Sequence, residues 1–335
     1  IGGIISILGF LNSSMTSVTQ RFLSFELGKN DLEKVNLIFR SSTIILFLLG
    51  LAIVLLAETL GYWFLINKLN IRPDQMYVAK IVYHITVFTF FFNILKISFT
   101  ALIIAYEQMK MFAYVSLLEV FLKLLCAYLI FLNFNVDKLI VYSILLLLTS
   151  VIIFLAYFFY TRKKFEVSRF SFFYDRNLYA ELLSFSGWSL FGSIAGVAKS
   201  QGINILLNIF FGTILNAAYG ITMQINAAVY LLITNFKTAI DPQIIKSYSQ
   251  SNGNDFLSLV FKGSKFAFLL TLSLSSLILF NLDYILFLWL DTVPEYASSF
   301  IKLSLLTLTT DSLSMSLMTA FNATGKIRNY QIIVG

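Results

Sequence analysis

Apolar runs of about twenty residues or more recur along this 335-residue chain, and within them apolar positions do not alternate with polar ones. A helix rises about 1.5 Å per residue, so such a run is about as long as the hydrocarbon core of a bilayer is thick. In lipid every backbone polar group must be satisfied inside the spanning structure, which leaves helices and closed barrels. Barrel strands need alternation, so these runs select helices. Apolar residues make up 58% of the chain and charged residues 12%, against about 45–50% and about 25% in a soluble domain. Pro73, Pro242 and Pro294 are the only prolines, so few runs are broken. The expectation is an all-α, polytopic transmembrane helical bundle.

The runs predict spans near 1–18, 41–65, 81–105, 111–133, 138–160, 183–210, 214–236, 264–289 and 299–323, with another starting after Arg328. That is a bundle of about nine to ten spans. Lys and Arg concentrate in alternate loops and at the span ends beside them. Sixteen fall on one side, including Arg21, Arg40, Lys110, Arg162, Lys163, Lys164, Arg169, Lys237 and Lys246. Five fall on the other: Lys68, Arg72, Lys80, Lys138 and Lys302. By the positive-inside rule the first side faces the cytoplasm, and the acidic loop around Asp291 and Glu295 lies outside.

A weak internal repeat accompanies this pattern. Phe39-Arg40-Ser41-Ser42 is echoed by Phe261-Lys262-Gly263-Ser264, and Ala105-Tyr106-Glu107-Gln108-Met109-Lys110 by Ala323-Thr324-Gly325-Lys326-Ile327-Arg328. An even number of spans separates the second pair, so the reading is two like-oriented six-helix lobes related by an axis along the membrane normal. The expected division is an N-lobe over 1–160, a polar cytoplasmic linker over 161–182 and a C-lobe over 183–335. Both chain ends lie inside apolar stretches and read as truncations, with the first helix and C-terminal helices missing. Ile1-Gly2-Gly3 has no basic region ahead of it and is not a signal peptide.

Several function classes are set aside by composition. The net charge of +7 is dispersed in short loops and forms no continuous basic stripe, which argues against nucleic acid. Cys126 is the only cysteine and His84 the only histidine, so a disulfide framework and multi-histidine sites are excluded within one chain. No phosphate-binding glycine loop, metal-ligand spacing or Ser/His/Asp arrangement is present, and no catalytic role, metal or cofactor is expected.

Polar residues inside spans are costly and mark interiors or watery cavities. Thr86, Thr89, Asn93, Lys96 and Thr100 recur at spacings of three and four, on one helix face. Lys96 there suits an anionic ligand such as a pyrophosphate, or it snorkels or pairs with a carboxylate of another helix. Ser116, Glu119 and Lys123 share a face, and Glu119 and Lys123 are spaced to pair on their own helix. The alternative is a cavity cation whose proton affinity is tuned by its neighbour. Gln201, Asn204 and Asn208 form another face near Lys199, within a run whose Gly192, Gly196 and Gly202 permit close packing or bending. Gln224, Asn226 and Asn235 follow. Ser304, Thr307, Asp311 and Ser314 share a face of the last complete span, where Asp311 is either an ion carrier or a partner for a lysine. His84 reads as an interfacial side chain.

The stretch Gly187-Trp188-Ser189-Leu190-Phe191-Gly192-Ser193, then Gln201-Gly202-Ile203-Asn204-Ile205-Leu206-Leu207-Asn208-Ile209-Phe210-Phe211-Gly212, resembles polysaccharide flippases of the Wzx type. So do Asn216-Ala217-Ala218-Tyr219-Gly220-Ile221, Gln224-Ile225-Asn226 and Asp241-Pro242-Gln243-Ile244-Ile245-Lys246-Ser247-Tyr248, together with Ala57-Glu58-Thr59-Leu60-Gly61-Tyr62-Trp63-Phe64-Leu65 and Phe112-Ala113-Tyr114-Val115-Ser116-Leu117-Leu118-Glu119 upstream. The resemblance covers nearly the whole chain. It implies the multidrug/oligosaccharidyl-lipid/polysaccharide exporter fold, twelve helices in two lobes, in a bacterial inner membrane. The chain departs from the family pattern at Ser98-Phe99-Thr100-Ala101, where a Pro-Tyr-Asn-Ala-like turn is expected, and Lys96 is not a family residue.

The implied activity is flipping undecaprenyl-pyrophosphate-linked oligosaccharide, as used in lipopolysaccharide and other polysaccharide biosynthesis, to the periplasmic leaflet, driven by an ion gradient. Its expected partners are the lipid-linked oligosaccharide, membrane lipid and H+ or Na+. The expected substrate-cavity residues are Lys96, Lys123, Lys199, Asn93, Gln201, Asn204, Asn208 and Gln224, with Asp311 and Glu119 as candidates for ion coupling. A multidrug or cation antiporter of the same fold predicts an acidic cavity, and a membrane sugar polymerase predicts a long external loop with catalytic charges.

Overall fold

The computed structural model describes residues 9–68, 71–130, 137–168, 175–250, 253–290 and 292–334. The sequence readings at Ile1-Gly2-Gly3, Arg169, Asp291 and Gly335 lie outside these residues. Among the described residues the regular structure is all helical: α1 Gly9–Gly28, α2 Leu32–Leu56, α3 Tyr62–Asn67, α4 Met76–Ala105, α5 Met109–Leu129, α6 Lys138–Lys164, α7 Arg176–Ser249, α8 Gly253–Phe280, α9 Leu282–Trp289, α10 Ala297–Ser312, α11 Met315–Ala323 and α12 Arg328–Val334. Six of the helical stretches are long and apolar enough to cross a membrane. The chain is a polytopic helical bundle, and it separates into two compact units, 1–190 and 191–335.

The helices begin where short acids can cap them. Asp31 accepts the Lys34 amide at 3.0 Å and opens α2, and Asp137 accepts the Leu139 amide at 2.8 Å and opens α6. The Lys34 N–H and ammonium hold the Asp31 carboxyl below its usual range.

In the first unit α4 is the central element, packed against α1, α2 and α6 and meeting α5. Its last turns are enclosed on all sides: Ile97, Ser98, Phe99 and Ala101 through Ala105 are all buried, as expected of a helix apolar all round. By contrast α5 buries only Val115 and Cys126, and Tyr114, Leu117, Phe121, Leu124 and Tyr128 stand exposed. Such a face suits lipid. The first turns of α7 belong to this unit too. Phe185 meets Phe22 edge-on at 5.4 Å, and the Ser14 and Ser189 hydroxyls lie 2.9 Å apart. The first compact unit therefore extends into α7 as far as Leu190.

Between α2 and α3 the chain makes one π-helical turn, Ala57–Gly61. The Tyr83 hydroxyl donates to the Ala57 carbonyl at 2.6 Å, which also accepts the Tyr62 amide across the widened turn. Gly61 makes this possible, because a Cβ there would lie 2.2 Å from the Tyr83 oxygen.

Two spans are broken where the sequence predicts continuity, and a third runs on beyond its predicted end. Within α7 the spans near 183–210 and 214–236 are two separate helical arms, as the apolar runs predict, meeting at a kink at Gly212, whose φ of 78° only glycine adopts freely. The second arm runs on to Ser249, so Lys237 and Lys246 sit on a helix and not in a loop. The span near 264–289 is interrupted at Asn281, and that near 299–323 at Leu313–Ser314. In the latter break Ser314 donates to the Asp311 carbonyl at 2.7 Å.

In the second unit α8 packs on α10 and α11 around a core of Ile225, Val229, Ile233, Ala267, Leu282, Leu286, Ile301, Leu305 and Met315. Gly263 lets three helices meet: a Cβ there would be 2.5 Å from the Ser316 hydroxyl and 3.1 Å from Ile240. The two copies of the second sequence echo adopt related turns. Glu107 has φ 56° and Gly325 has φ 77°, each two residues after a buried alanine, Ala105 and Ala323.

Candidate functional site

The polar stripe of α4 sorts itself by where its hydrogen bonds go. Thr86 donates to Val82, Thr89 to Ile85, Asn93 to Thr89 and Thr100 to Lys96, all carbonyls four residues back on the same helix. Such back-bonding satisfies a hydroxyl or amide inside a membrane without any partner element. Lys96 alone of the five reaches another helix through an ion pair: its ammonium lies 3.5 Å from Oε2 of Glu119 on α5.

Glu119 is shared. Its Oε1 accepts Lys123 Nζ at 2.7 Å, so each carboxylate oxygen faces a different lysine. The three side chains are 20% exposed for Lys96, 26% for Glu119 and 55% for Lys123, which leaves the carboxylate half-enclosed and Lys123 open. Ser116, one turn before Glu119, donates to the Phe112 carbonyl at 2.8 Å and meets the hydroxyl of Tyr157 from α6, a buried ring. Two ammonium groups against one carboxylate give the cluster a formal charge of +1.

Depth follows from helix rise. Lys96 precedes the end of α4 at Ala105, and Glu119 follows the start of α5 at Met109, by distances of about 14 and 15 Å at 1.5 Å per residue. Both therefore sit about halfway through a hydrocarbon core of about 30 Å. Charges at that depth persist only when paired or facing water.

The remaining predicted residues lie on the second unit. Lys199, Gln201, Asn208 and Gln224 are exposed and Asn204 half-buried. Gln201, Asn204 and Asn208 share a face of the first arm of α7, and Gln224 lies beyond the Gly212 corner. The glycines of that arm do different things. A Cβ at Gly192 would meet the Gln331 amide at 1.9 Å, whereas Gly196 and Gly202 have open space around them. Asn226 bonds the Ser304 hydroxyl of α10. Asp311 is exposed and, among the described residues, makes no ion pair.

One buried polar group escaped the sequence reading. Asp241 is only 7% exposed; it pairs with Lys237 on its own helix and accepts the Thr319 hydroxyl of α11 at 2.6 Å. The i,i+4 spacing of Lys237 and Asp241 is visible in the sequence, but it lies just past the apolar run that marks the span, where helix is not expected. His84 is likewise more than an interfacial ring: its Nδ1 lies 2.8 Å from Glu58 at the π-helical turn.

Residues 2–129 match the family model described as MatE. No curated protein sequence matches the chain. Solved structures of similar fold include MATE in complex with MaL6, at TM-score 0.87 and 13% identity over 99% of this chain and 75% of that one. An outward-facing conformation of a multidrug resistance MATE family transporter of the MOP superfamily matches at 0.86 and 14%, over 99% and 74%. A MOP superfamily transporter from Pyrococcus furiosus, reported with a binding pocket of reverse polarity and hence a different function, matches at 0.84 and 13%, over 99% and 75%. Across 99% of its length this chain has the fold of a MATE transporter.

Proposed function

We propose that the protein is a transporter that works by alternating access in the bacterial inner membrane, and that it moves undecaprenyl-pyrophosphate-linked oligosaccharide from the cytoplasmic to the periplasmic leaflet. The observation that carries this reading is the sign of the mid-membrane charge in the first unit: Lys96 and Lys123 against the single Glu119. A cationic drug needs excess acid at its site, whereas a pyrophosphate needs excess base with rotatable donors. On the second unit Lys199, Gln201, Asn204, Asn208 and Gln224 are assigned to substrate contacts, on the first Asn93 to a minor sugar contact through its carbonyl oxygen, its amide being bonded to Thr89, and Asp311 to the coupling ion, H+ or Na+.

A multidrug or cation antiporter is the second reading, favoured by the multidrug resistance transporter among the structures of like fold. Polarity discriminates the two, as the reverse-polarity pocket reported for the Pyrococcus furiosus protein illustrates for this superfamily.

The test reconstitutes the whole protein in liposomes holding a fluorescent undecaprenyl-pyrophosphate oligosaccharide and follows its accessibility to a membrane-impermeant quencher. Acceleration over protein-free liposomes, steepened by a proton or sodium gradient, is expected. Gradient-driven efflux of an organic cation with no acceleration for the glycolipid would overturn the assignment in favour of the antiporter.

A further inference from the structure

We infer that Glu119 is a proton-linked counter-ion, so that the anion and one proton bind together at the Lys96–Glu119–Lys123 cluster. The inference rests on reading that cluster as the anion site.

In the structure Glu119 occupies the position an anionic substrate group would take. It lies between two lysines from different helices and engages each with a different oxygen, at 3.5 Å and 2.7 Å. The charged or titratable groups facing it are Lys96 from α4, Lys123 from its own helix and Tyr157 from α6. The donors near Lys96 do not substitute for the lysines, because the Asn93 amide and the Thr100 hydroxyl are turned onto their own helix.

An anion that docks on Lys96 and Lys123 takes away the charges that hold Glu119 ionised and adds negative charge beside it. At mid-membrane depth this repulsion is poorly screened. A proton from water onto a Glu119 oxygen removes it and converts the carboxylate from a competitor into a donor to the bound anion. By linkage the converse holds too: a protonated Glu119 frees both lysines and strengthens anion binding. The sign is therefore that of co-binding, the opposite of the mutual exclusion on which an exchanger of cations relies.

The experiment measures binding of undecaprenyl pyrophosphate to the purified whole protein in detergent by calorimetry, in two buffers of different ionisation enthalpy, from pH 6.5 to 8.5. Proton uptake approaching one per anion is expected, beyond what the phosphate itself takes up, with affinity falling towards tenfold per pH unit as pH rises. Glu119→Gln subtracts the phosphate's own protons: it should bind, lose the extra uptake and flatten the pH profile, while Glu119→Asp restores the uptake. Wild type and Glu119→Gln with equal proton uptake would overturn the coupling and leave the site standing. Unchanged affinity in Lys96→Met/Lys123→Met would overturn the site on which the coupling rests, and tenfold or greater weakening with the coupling present supports both. Thermal melting of each variant separates lost binding from lost folding.

Discussion

Each unit of this protein holds a carboxylate between helices, and the two are built to opposite ends. Asp241 in the second unit is buried, and its two oxygens are taken by Lys237 and by the Thr319 hydroxyl of a second helix. Charge is balanced and the group is enclosed. Glu119 in the first unit is balanced by one lysine too many, on a helix that buries few of its side chains, and Lys123 stands open. A closed, neutral cluster fastens helices together. A half-open cluster with an excess charge is what the proposed anion site requires. The contrast teaches that a charged cluster between helices does not by itself make a site; the Glu119 cluster is proposed as one on the charge left over after the local pairs are made.

That comparison breaks most visibly at Asp241. Asp241→Ala strands Lys237 and should cost about 3 kcal/mol, read as a large fall in the midpoint of thermal unfolding in detergent; a loss no greater than that of Glu119→Gln would erase the distinction. Close helix approach comes next. Gly263→Ala sets a Cβ 2.5 Å from the Ser316 hydroxyl, and Gly61→Ala displaces the Tyr83 hydroxyl from the Ala57 carbonyl; each should cost about 1–3 kcal/mol, and Tyr83→Phe about 1 kcal/mol. Gly212→Ala meets no neighbour but must hold φ 78° with ψ −169°, a region nearly confined to glycine, so about 1–3 kcal/mol of pure backbone strain is expected, measurable by the same melting. Glu119→Gln keeps an amide oxygen for the two lysines and leaves Lys123 open, so about 1 kcal/mol is expected at neutral pH, and it sharpens the comparison by changing binding more than stability. Acid should also loosen the start of α2. The Asp31 carboxyl is held low by the Lys34 amide, so its cap is complete above the ordinary aspartate range and fades as pH falls through the folded value, detectable as faster exchange of the Lys34 amide.

Most of the fold was legible because spanning helices are written in length and apolarity. What was not legible lies where local geometry overrides those signals. The helix breaks at Asn281 and at Leu313–Ser314 fall inside apolar runs and leave the hydropathy nearly unchanged. The polar ends of α1 and α7 remain helical, so Arg21 and Lys237, which hydropathy places beyond the ends of apolar runs, lie within helices. Arg21 is in fact buried, with its guanidinium over the rings of Phe22 at 4.6 Å and Phe185 at 5.3 Å. The stripe on α4 was visible, but spacing cannot show that Thr86, Thr89, Asn93 and Thr100 bond back to their own helix. For Lys96 the sequence offered a cavity or a carboxylate partner on another helix. The structure supplies the partner, and Glu119 is the same residue that the spacing paired with Lys123.

The central claim, that the lysine excess at the mid-membrane cluster handles an anionic lipid, is tested most directly by flipping rates in liposomes. Wild type and Lys96→Ala/Lys123→Ala would be compared on fluorescent undecaprenyl-pyrophosphate oligosaccharide, with matched protein content and matched thermal stability. A fall of tenfold or more in the double variant, with Asn93→Ala nearer to wild type, is the predicted result. Equal rates in wild type and the double variant would contradict it.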